Sequence, residues 1–520
     1  MNVPGGGQRD VVAFLSSPSS YGPEVRSVER CQTHGSIVFL AGDRAYKLKR
    51  SVRYPYMDYS TPDRRRAMCE RELAVNRRTA PSLYLGVQPI VRTKGGTLCF
   101  GTDAGESAAL DWVVVMRRFD QADLFGEMRR AGKLTRLLMR SLAEVIAGFH
   151  GGAEVKRDFG GVADMRTVID QNSDILTTKI DRPFQARPVA ALMTDTRKAL
   201  SRVGALLERR KQDSRVRRCH GDLHLNNICM IAGRPTLFDA IEFNDRISCI
   251  DVLYDLAFLL MDLDRTGLRA HANVVLNRYL ELTGEHAGLA ALPLFLSCRA
   301  AIRAHVTASA ADSAQSGRET SAGYEDAILL LERAAGYLIS PKAQLIALGG
   351  VSGTGKSTLA RHLAPLAGAV PGAIVIRADV IRKHLMGVEE TTRLPLSAYG
   401  PTINEQVYRR MLELASETLT AGHWVIVDGV FGRNEERIRI AEVARRAKTK
   451  FDGIWLEAPE DVLRQRIGTR VGDASDATVE VLEAQLSSIT KPQDWLGLDT
   501  GLQEAQVGEE AGRLLGISVC

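Results

Sequence analysis

The chain has 520 residues, too many for one ordinary hydrophobic core, so two or three domains are expected. Its 45% hydrophobic and 25% charged residues are globular values, which exclude a disordered or fibrous chain. A net charge of +6 over this length gives no ground for a nucleic-acid partner, and the eight scattered cysteines form no C-x-x-C pair, which argues against a zinc site or a disulfide frame and for a reducing, cytoplasmic setting. The sequence shows no leader pattern, and no apolar run reads as long enough to span a bilayer.

In chain order, residues 1 to 8 are Gly-rich and expected to fray, and Val11–Leu15 reads as a short helix closed by Ser16-Ser17-Pro18. From Thr33 the texture turns to β. Ser36–Leu40 and Ala45–Lys49 read as the two strands of a hairpin, with Gly42-Asp43 supplying the turn. Alternation puts Lys47 and Lys49 on one face and Tyr46 and Leu48 on the other. A charged helix from Pro62 to about Arg78 carries Glu70 and Glu72, followed by β segments over Tyr84–Val91 and Trp112–Met116. A small sheet bearing a lysine, beside a helix bearing a glutamate, is what the N-lobe of a kinase requires.

The run Cys219-His220-Gly221-Asp222-Leu223-His224-Leu225-Asn226-Asn227 sets an Asp five residues before an Asn, the D-x-x-x-x-N spacing of a kinase catalytic loop. Such a loop brings a carboxylate to the attacking hydroxyl (Asp222) and an amide oxygen to the metal (Asn227). Pro235–Asp239 then reads as a strand ending in a carboxylate placed to bind metal, with Glu242 near it. His220 reads as a support of the loop, while His224 is balanced between support and chemistry. Asp251 and Asp255 read as braces or caps, and Arg299 and Arg303 as a solvated helix face or the lining of an anionic pocket.

His220-Gly221-Asp222-x-His224-x-x-Asn227 with Phe238-Asp239-x-x-Glu242 resembles the aminoglycoside phosphotransferase family, and Ile146-Ala147-x-Phe149-His150 resembles the helix that precedes its catalytic region. The resemblance implies a protein-kinase-like α+β fold. It also implies Lys47 paired with Glu72 (or Glu70) at the nucleotide phosphates, Asp222 as catalytic base, and Asn227 and Asp239 holding Mg²⁺. Two positions depart from the family pattern: Leu225 stands where a proline is usual, and the N-lobe glycine loop is reduced to Thr33-His34-Gly35-Ser36. Residues 155 to 215 read as charged helices broken near Gly160-Gly161 and Arg182-Pro183, an insertion suited to forming an acceptor pocket.

After an amphipathic helix over Tyr324–Tyr337, Ser340-Pro341-Lys342 marks a short linker. This divides the chain into residues 1–338 (N-lobe about 30–118, C-lobe about 119–338) and a second domain over 344–520. The second domain opens on Gly350-Val351-Ser352-Gly353-Thr354-Gly355-Lys356-Ser357, which is G-x-x-x-x-G-K-[ST] between the strand-like Leu345–Leu348 and a helix starting at Thr358. Gly350, Gly353 and Gly355 free the backbone at Thr354 and its neighbours to wrap a phosphate. Lys356 is placed for the β- and γ-phosphates, and Ser357 for Mg²⁺.

Asp379-x-x-Arg382 follows the strand Ala373–Ile376. Asp379 reads either as a helix N-cap or as a base at an acceptor hydroxyl, with Arg382 steering phosphate charge. Asp428 ends the strand Trp424–Asp428 either as a carboxylate binding Mg²⁺ through water or as a plain strand-end carboxylate, and Arg466 and Arg470, four apart on a helix from Pro459, suit a lid over the transferring phosphate or a solvated basic face. These features, with Arg437 and Ser475-Asp476-Ala477, resemble the P-loop kinases grouped with gluconate kinase, zeta toxin and phage polynucleotide kinase. The whole chain resembles bacterial fusions of an aminoglycoside phosphotransferase-like domain with an ATP-binding P-loop kinase.

The expectation is therefore a protein-kinase-like α+β domain followed by a doubly wound α/β P-loop domain. Each would use ATP and Mg²⁺ to phosphorylate a hydroxyl of a small molecule. Two competing readings are a polynucleotide 5′-hydroxyl kinase and a P-loop switch beside a weak or inactive kinase-like domain.

Overall fold

The computed structural model describes residues 6–54, 57–101, 109–313, 316–339, 341–469 and 474–517. The chain folds into two compact units. One comprises residues 1–165 with 207–259, the other residues 166–206 with 260–520. The linker expected near 338–343 thus falls inside the second unit, and Ser340 lies outside the described residues.

In the first unit six antiparallel strands form one sheet, ordered Val28–Gln32, Ser36–Ala41, Arg44–Lys49, Ala109–Arg117, Tyr84–Arg92 and Leu98–Phe100. Its alternating side chains feed two cores. Ile37, Phe39, Tyr46, Leu48, Val113 and Val115 face one side, where Val11 and Leu15 cover them. Ala45, Trp112, Val114 and Met116 face the other, packed with Cys69, Ala80 and Leu83.

Lys47 and Lys49 lie on that second side, toward the helix Pro62–Asn76. Thr61 caps this helix by accepting from Arg64 N, and Pro62 takes a position where no amide donor is needed. Of the residues 1–8 expected to fray, 1–5 lie outside the described residues, while Gly6 to Gln8 form the start of a helix. Gln8 fixes it: its buried amide donates to Lys49 O and Asp111 Oδ2 and accepts from Ser51 N.

In the second unit five parallel strands form a sheet ordered Ile374–Arg377, Val425–Asp428, Gln344–Gly349, Lys450–Glu457 and Leu496–Asp499. Helices cover both faces, so the central strand is apolar throughout. Leu345 and Ala347 pack into one core with Val407, Met411 and Ile440, while Ile346 and Leu348 pack into the other with Leu359, Leu363 and Val507. This is the doubly wound arrangement.

The same unit holds the helices Arg269–Thr283, Leu292–Asp312 and Gly317–Tyr337. The run Glu285–Asp312 is long and apolar enough by length and composition to cross a membrane, unlike the sequence reading, but 72% of its apolar window is buried in the protein as a core helix. Arg299 within it is 3% exposed, so the solvated face expected there is corrected: this arginine is interior.

Helix Arg269–Thr283 lies along the outer edge of the parallel sheet. Asn277 Oδ1 accepts from Val375 N (2.7 Å), and the amides of Asn273 and Asn277 donate to Ala373 O (3.1 and 3.2 Å). These bonds satisfy backbone groups that an edge strand otherwise leaves open.

Candidate active sites

In the first unit Lys47 Nζ donates to Glu72 Oε1 (2.8 Å) and to Asp239 Oδ1 (2.5 Å). Glu72 is therefore the partner. Glu70, the other candidate, is exposed and pairs with Arg66. Burial pushes the Glu72 carboxyl up, but Lys47 and Lys49 outweigh it and hold the group well below the usual carboxylate range. Burial opposes the charge on Lys47 as well, and Asp239 with Glu72 more than restores it, so the ammonium is retained.

The loop that carries Asp222 is fixed from beneath. Asp255 accepts from His220 N (3.0 Å) and Gly221 N (2.8 Å), and His150 Nε2 lies 3.1 Å from the same carboxylate. Gly221 is needed here: its φ is +84°, and a Cβ would stand 3.0 Å from Ile247 O. His220 is buried with Nε2 at 2.9 Å from Phe238 O, a support role as expected. Asp251 braces the same region through Arg210, which it binds with both oxygens.

Asn227 Nδ2 donates to Asp222 Oδ2 (3.0 Å) and Asp222 O (2.9 Å), which leaves its carbonyl oxygen as the atom suited to a hard cation. His224 Nε2 is 3.3 Å from Asp222 Oδ2, and its ring meets Phe258 edge-on. Phe238 N donates to Asn227 O (3.0 Å), so the chain delivers Asp239 directly beside the loop. Asp239 takes φ +61°, and its N–H donates to Tyr84 Oη (3.1 Å). The Asn227 carbonyl oxygen and the Asp239 carboxylate, beside Asp222, are hard oxygen donors of the kind that fit Mg²⁺.

Lys49, Asn76 and Tyr84 were not singled out from sequence. Lys49 is 1% exposed and bonds Glu72 Oε2 (2.7 Å) and Glu242 Oε1, so Glu242 anchors a second lysine. Tyr59 Oη adds a donor to Glu242 (2.8 Å). Asn76 Oδ1 accepts from Ala240 N (2.8 Å), tying the Glu72 helix to the Asp239 segment. The signal available was the Lys47/Lys49 alternation, which puts both lysines on the glutamate's side.

In the second unit Gly350, Gly353 and Gly355 have φ of +136°, +87° and +84°. A Cβ at Gly350 would lie 2.6 Å from Leu456 O, so the turn requires glycine there. Lys356 Nζ sits inside the loop's arc, donating to Gly350 O (2.8 Å) and Val351 O (2.9 Å). Thr354 is buried, with Oγ1 donating to Val351 O, and Thr358 Oγ1 accepts from Arg361. Ser357 Oγ, in the first turn of the helix Lys356–Leu363, lies 2.5 Å from Asp428 Oδ2 at the end of the strand Val425–Asp428, two oxygens that fit one Mg²⁺. Arg466 overhangs the loop: a Cβ on Gly355 would lie 3.9 Å from its Nη1, while Nη2 donates to Thr500 O (2.7 Å). Arg470 lies outside the described residues.

Asp379 occupies the first turn of the helix Ala378–Leu385. The N-cap is Arg377, without a side-chain bond, so the capping reading of Asp379 is corrected. Desolvation and then the neighbouring Asp428 push the Asp379 carboxyl above its usual range, against Arg377, Lys356 and Arg382. Arg382 is 5% exposed. Its Nη1 donates to Ala398 O (2.9 Å), and the guanidinium stacks 4.5 Å over the Tyr399 ring. Asp476 accepts from Lys383 (2.6 Å), Tyr399 Oη (2.8 Å) and Leu394 N (2.9 Å), and Arg437 donates to Phe431 O (2.7 Å). Arg377, on none of the expected sites, lies against Ser357 and Asp428.

A lysine-bearing antiparallel sheet beside a D-x-x-x-x-N loop, and a glycine loop at the C-terminal end of a parallel strand, define a chain of two parts, each of a kinase family. Residues 41–292 match the phosphotransferase enzyme family, and residues 345–492 match the AAA domain family. The chain is 30% identical over 477 residues to uncharacterized proteins of Mycobacterium tuberculosis and of Mycobacterium bovis, covering 90% of this chain and 90% of each relative. It belongs to the family of these two-part proteins, an APH-type kinase-like domain followed by a P-loop kinase domain. Among solved structures it is similar to a choline/ethanolamine kinase family protein from Mesorhizobium loti (15% identity, 64% of this chain and 98% of that one, TM-score 0.37). A gluconokinase from Sinorhizobium meliloti is also similar (23% identity, 34% and 92%, TM-score 0.26).

Proposed function

We propose that the protein is an ATP-dependent kinase with two sites, each moving the γ-phosphoryl group of ATP to a hydroxyl of a small molecule in the cytoplasm. One observation carries the reading. In each unit a lysine stands in the same site as a candidate base and oxygens suited to a metal: Lys47 with Asp222, Asn227 and Asp239, and Lys356 with Asp379, Ser357 and Asp428.

In the front site Asp222 takes the proton of the acceptor hydroxyl as that oxygen bonds to the γ-phosphorus. The bond from phosphorus to the β–γ bridging oxygen breaks, and ADP leaves with the negative charge. Lys47, kept cationic between Glu72 and Asp239, neutralises charge on the phosphates. In the second site Asp379 is the matching base. Its raised affinity for a proton suits it to accept one, while Lys356 and the loop's N–H groups hold the phosphates. Mg²⁺, held by Asn227 with Asp239 and by Ser357 with Asp428, would supply further charge neutralisation.

The test follows labelled phosphate from ATP into a bacterial metabolite extract with the full chain, Asp222→Asn and Lys356→Ala. Two labelled small molecules, each lost with one substitution, are expected. Label confined to 5′-hydroxyl oligonucleotides, or no acceptor labelled by either site, would overturn the proposal.

A further inference from the structure

Arg377 closes the edge strand Ile374–Arg377 with its guanidinium between two groups of partners. On one side Nη2 donates to Ser357 Oγ (3.3 Å), and Nε lies 3.7 Å from Asp428 Oδ2. On the other, Nη1 donates to Glu390 Oε1 (3.2 Å). The second Glu390 oxygen, Oε2, accepts from Arg278 Nη1 (3.1 Å), which also reaches Glu281 Oε2 (3.1 Å). Arg278 lies on the helix Arg269–Thr283, inside the segment that matches the phosphotransferase family, whereas Arg377, Ser357 and Asp428 lie in the segment that matches the P-loop domain. The side chains of Arg278, Glu390, Arg377 and Asp428 are 8%, 14%, 9% and 8% exposed, so water screens this line of alternating charges little.

We propose that Arg278 and Glu390 are positioning residues for the metal corner of the P-loop site. By sharing Glu390, Arg278 sets how strongly Arg377 leans on Asp428, and so how tightly Ser357 and Asp428 hold a divalent cation. The inference rests on the reading of those two residues as the Mg²⁺ ligands.

The signs follow from electrostatics. A guanidinium against Asp428 competes with an arriving cation for the same carboxylate. Glu390 draws Arg377 away from Asp428, and Arg278 weakens that pull by occupying the other half of Glu390. Removing Arg278 leaves Glu390 to Arg377 alone, which frees Asp428 and tightens Mg²⁺. Neutralising Glu390 sends Arg377 onto Asp428 and loosens Mg²⁺. The three asparagine bonds to the edge strand hold the helix in place, so the charges act from a fixed frame. A helix from the phosphotransferase segment thereby tunes the second site without touching its nucleotide.

The experiment titrates Mg²⁺ against a fluorescent ATP analogue in the full chain carrying Asp239→Asn, so that the metal requirement read is that of the P-loop site. Arg278→Met is expected to lower the apparent Mg²⁺ constant, and Glu390→Gln to raise it. Each shift should be about three- to tenfold, the range carried by contiguous side-chain networks, and Arg278→Lys should restore the parent value. Shifts of the same sign, or a lowered unfolding midpoint with an unchanged Mg²⁺ constant, would mean a merely structural bridge and overturn the proposal. If Arg278→Met does not fold, the isosteric Glu390→Gln decides alone: a constant that stays put or falls overturns it. Ser357→Ala is the control for the premise. If it leaves the Mg²⁺ requirement intact, the ligand assignment itself has failed, an outcome distinct from failure of the link.

Discussion

The two proposed phosphate sites rest on opposite strategies. In the second unit Gly350 to Ser357 are contiguous, and backbone amides with a helix end do the holding. In the first unit the corresponding grip is assembled from side chains far apart in the chain, with Lys47 bonded to Glu72 across 25 positions and to Asp239 across 192. A backbone cradle needs local conformational freedom; a side-chain cradle needs the whole sheet, helix and loop to be in register first. The front site should therefore depend on the integrity of its unit, whereas the P-loop site should tolerate loss of its lysine as a fold while losing its chemistry.

Several substitutions sharpen that contrast. The largest effect is expected on turnover. Asp222→Asn should cut front-site transfer by about 10²- to 10⁴-fold, the range of a lost general base, with the P-loop product unaffected in the labelling assay. Next comes stability. Lys49→Met leaves Glu242 buried without its cation and Glu72 with Lys47 alone, and should cost the first unit about 3–5 kcal/mol in urea unfolding, whereas Lys356→Met should leave the unfolding midpoint of its unit nearly unchanged. If Lys49→Met proves as mild as Lys356→Met, the distinction between the two cradles disappears. Smaller still, Asn277→Ala removes the acceptor of Val375 N at the sheet edge and should cost the second unit about 1–3 kcal/mol by the same measurement.

The pH dependence separates the sites as well. Glu72 is held below its ordinary value in the folded chain, so its contribution is present above the unfolded carboxylate pKa and is lost as pH falls toward the folded one. Asp379 has the opposite sign. A raised folded pKa means the folded site favours the protonated acid, so P-loop turnover should fail on acidification at a pH above the usual carboxylate range. His286 and His305, lowered to about 4 by burial, add stability to the second unit above the unfolded imidazole pKa of roughly 6.5 that is lost as pH falls toward 4. Thermal unfolding followed between pH 7 and 4 checks this last effect.

The glycine loop, the D-x-x-x-x-N run, Asp428 at its strand end and the Lys47 face were readable from sequence because each chemistry imposes a short spacing or a two-residue alternation, whereas Asp239, expected to end a strand, lies two residues past Arg234–Leu237. The spacing of Arg466 on its helix allowed either a lid or a solvated face, and its approach to Gly355 depends on where the helix docks. Asp379 could equally have capped its helix; only the backbone start at Ala378 removed that option. Arg299 looked like a surface residue because helical spacing records a face without saying what covers it.

Sequence alone determined the family of each half, because the motifs for phosphate and metal binding demand particular residue types at close chain separations. The tertiary structure alone decided which charges neighbour one another across long separations: Lys49 between Glu72 and Glu242, and Arg278 sharing Glu390 with Arg377. An ion pair between distant residues leaves no periodic trace, since its partners are chosen by packing. It becomes visible only when burial has removed the water that would otherwise have solvated each charge separately.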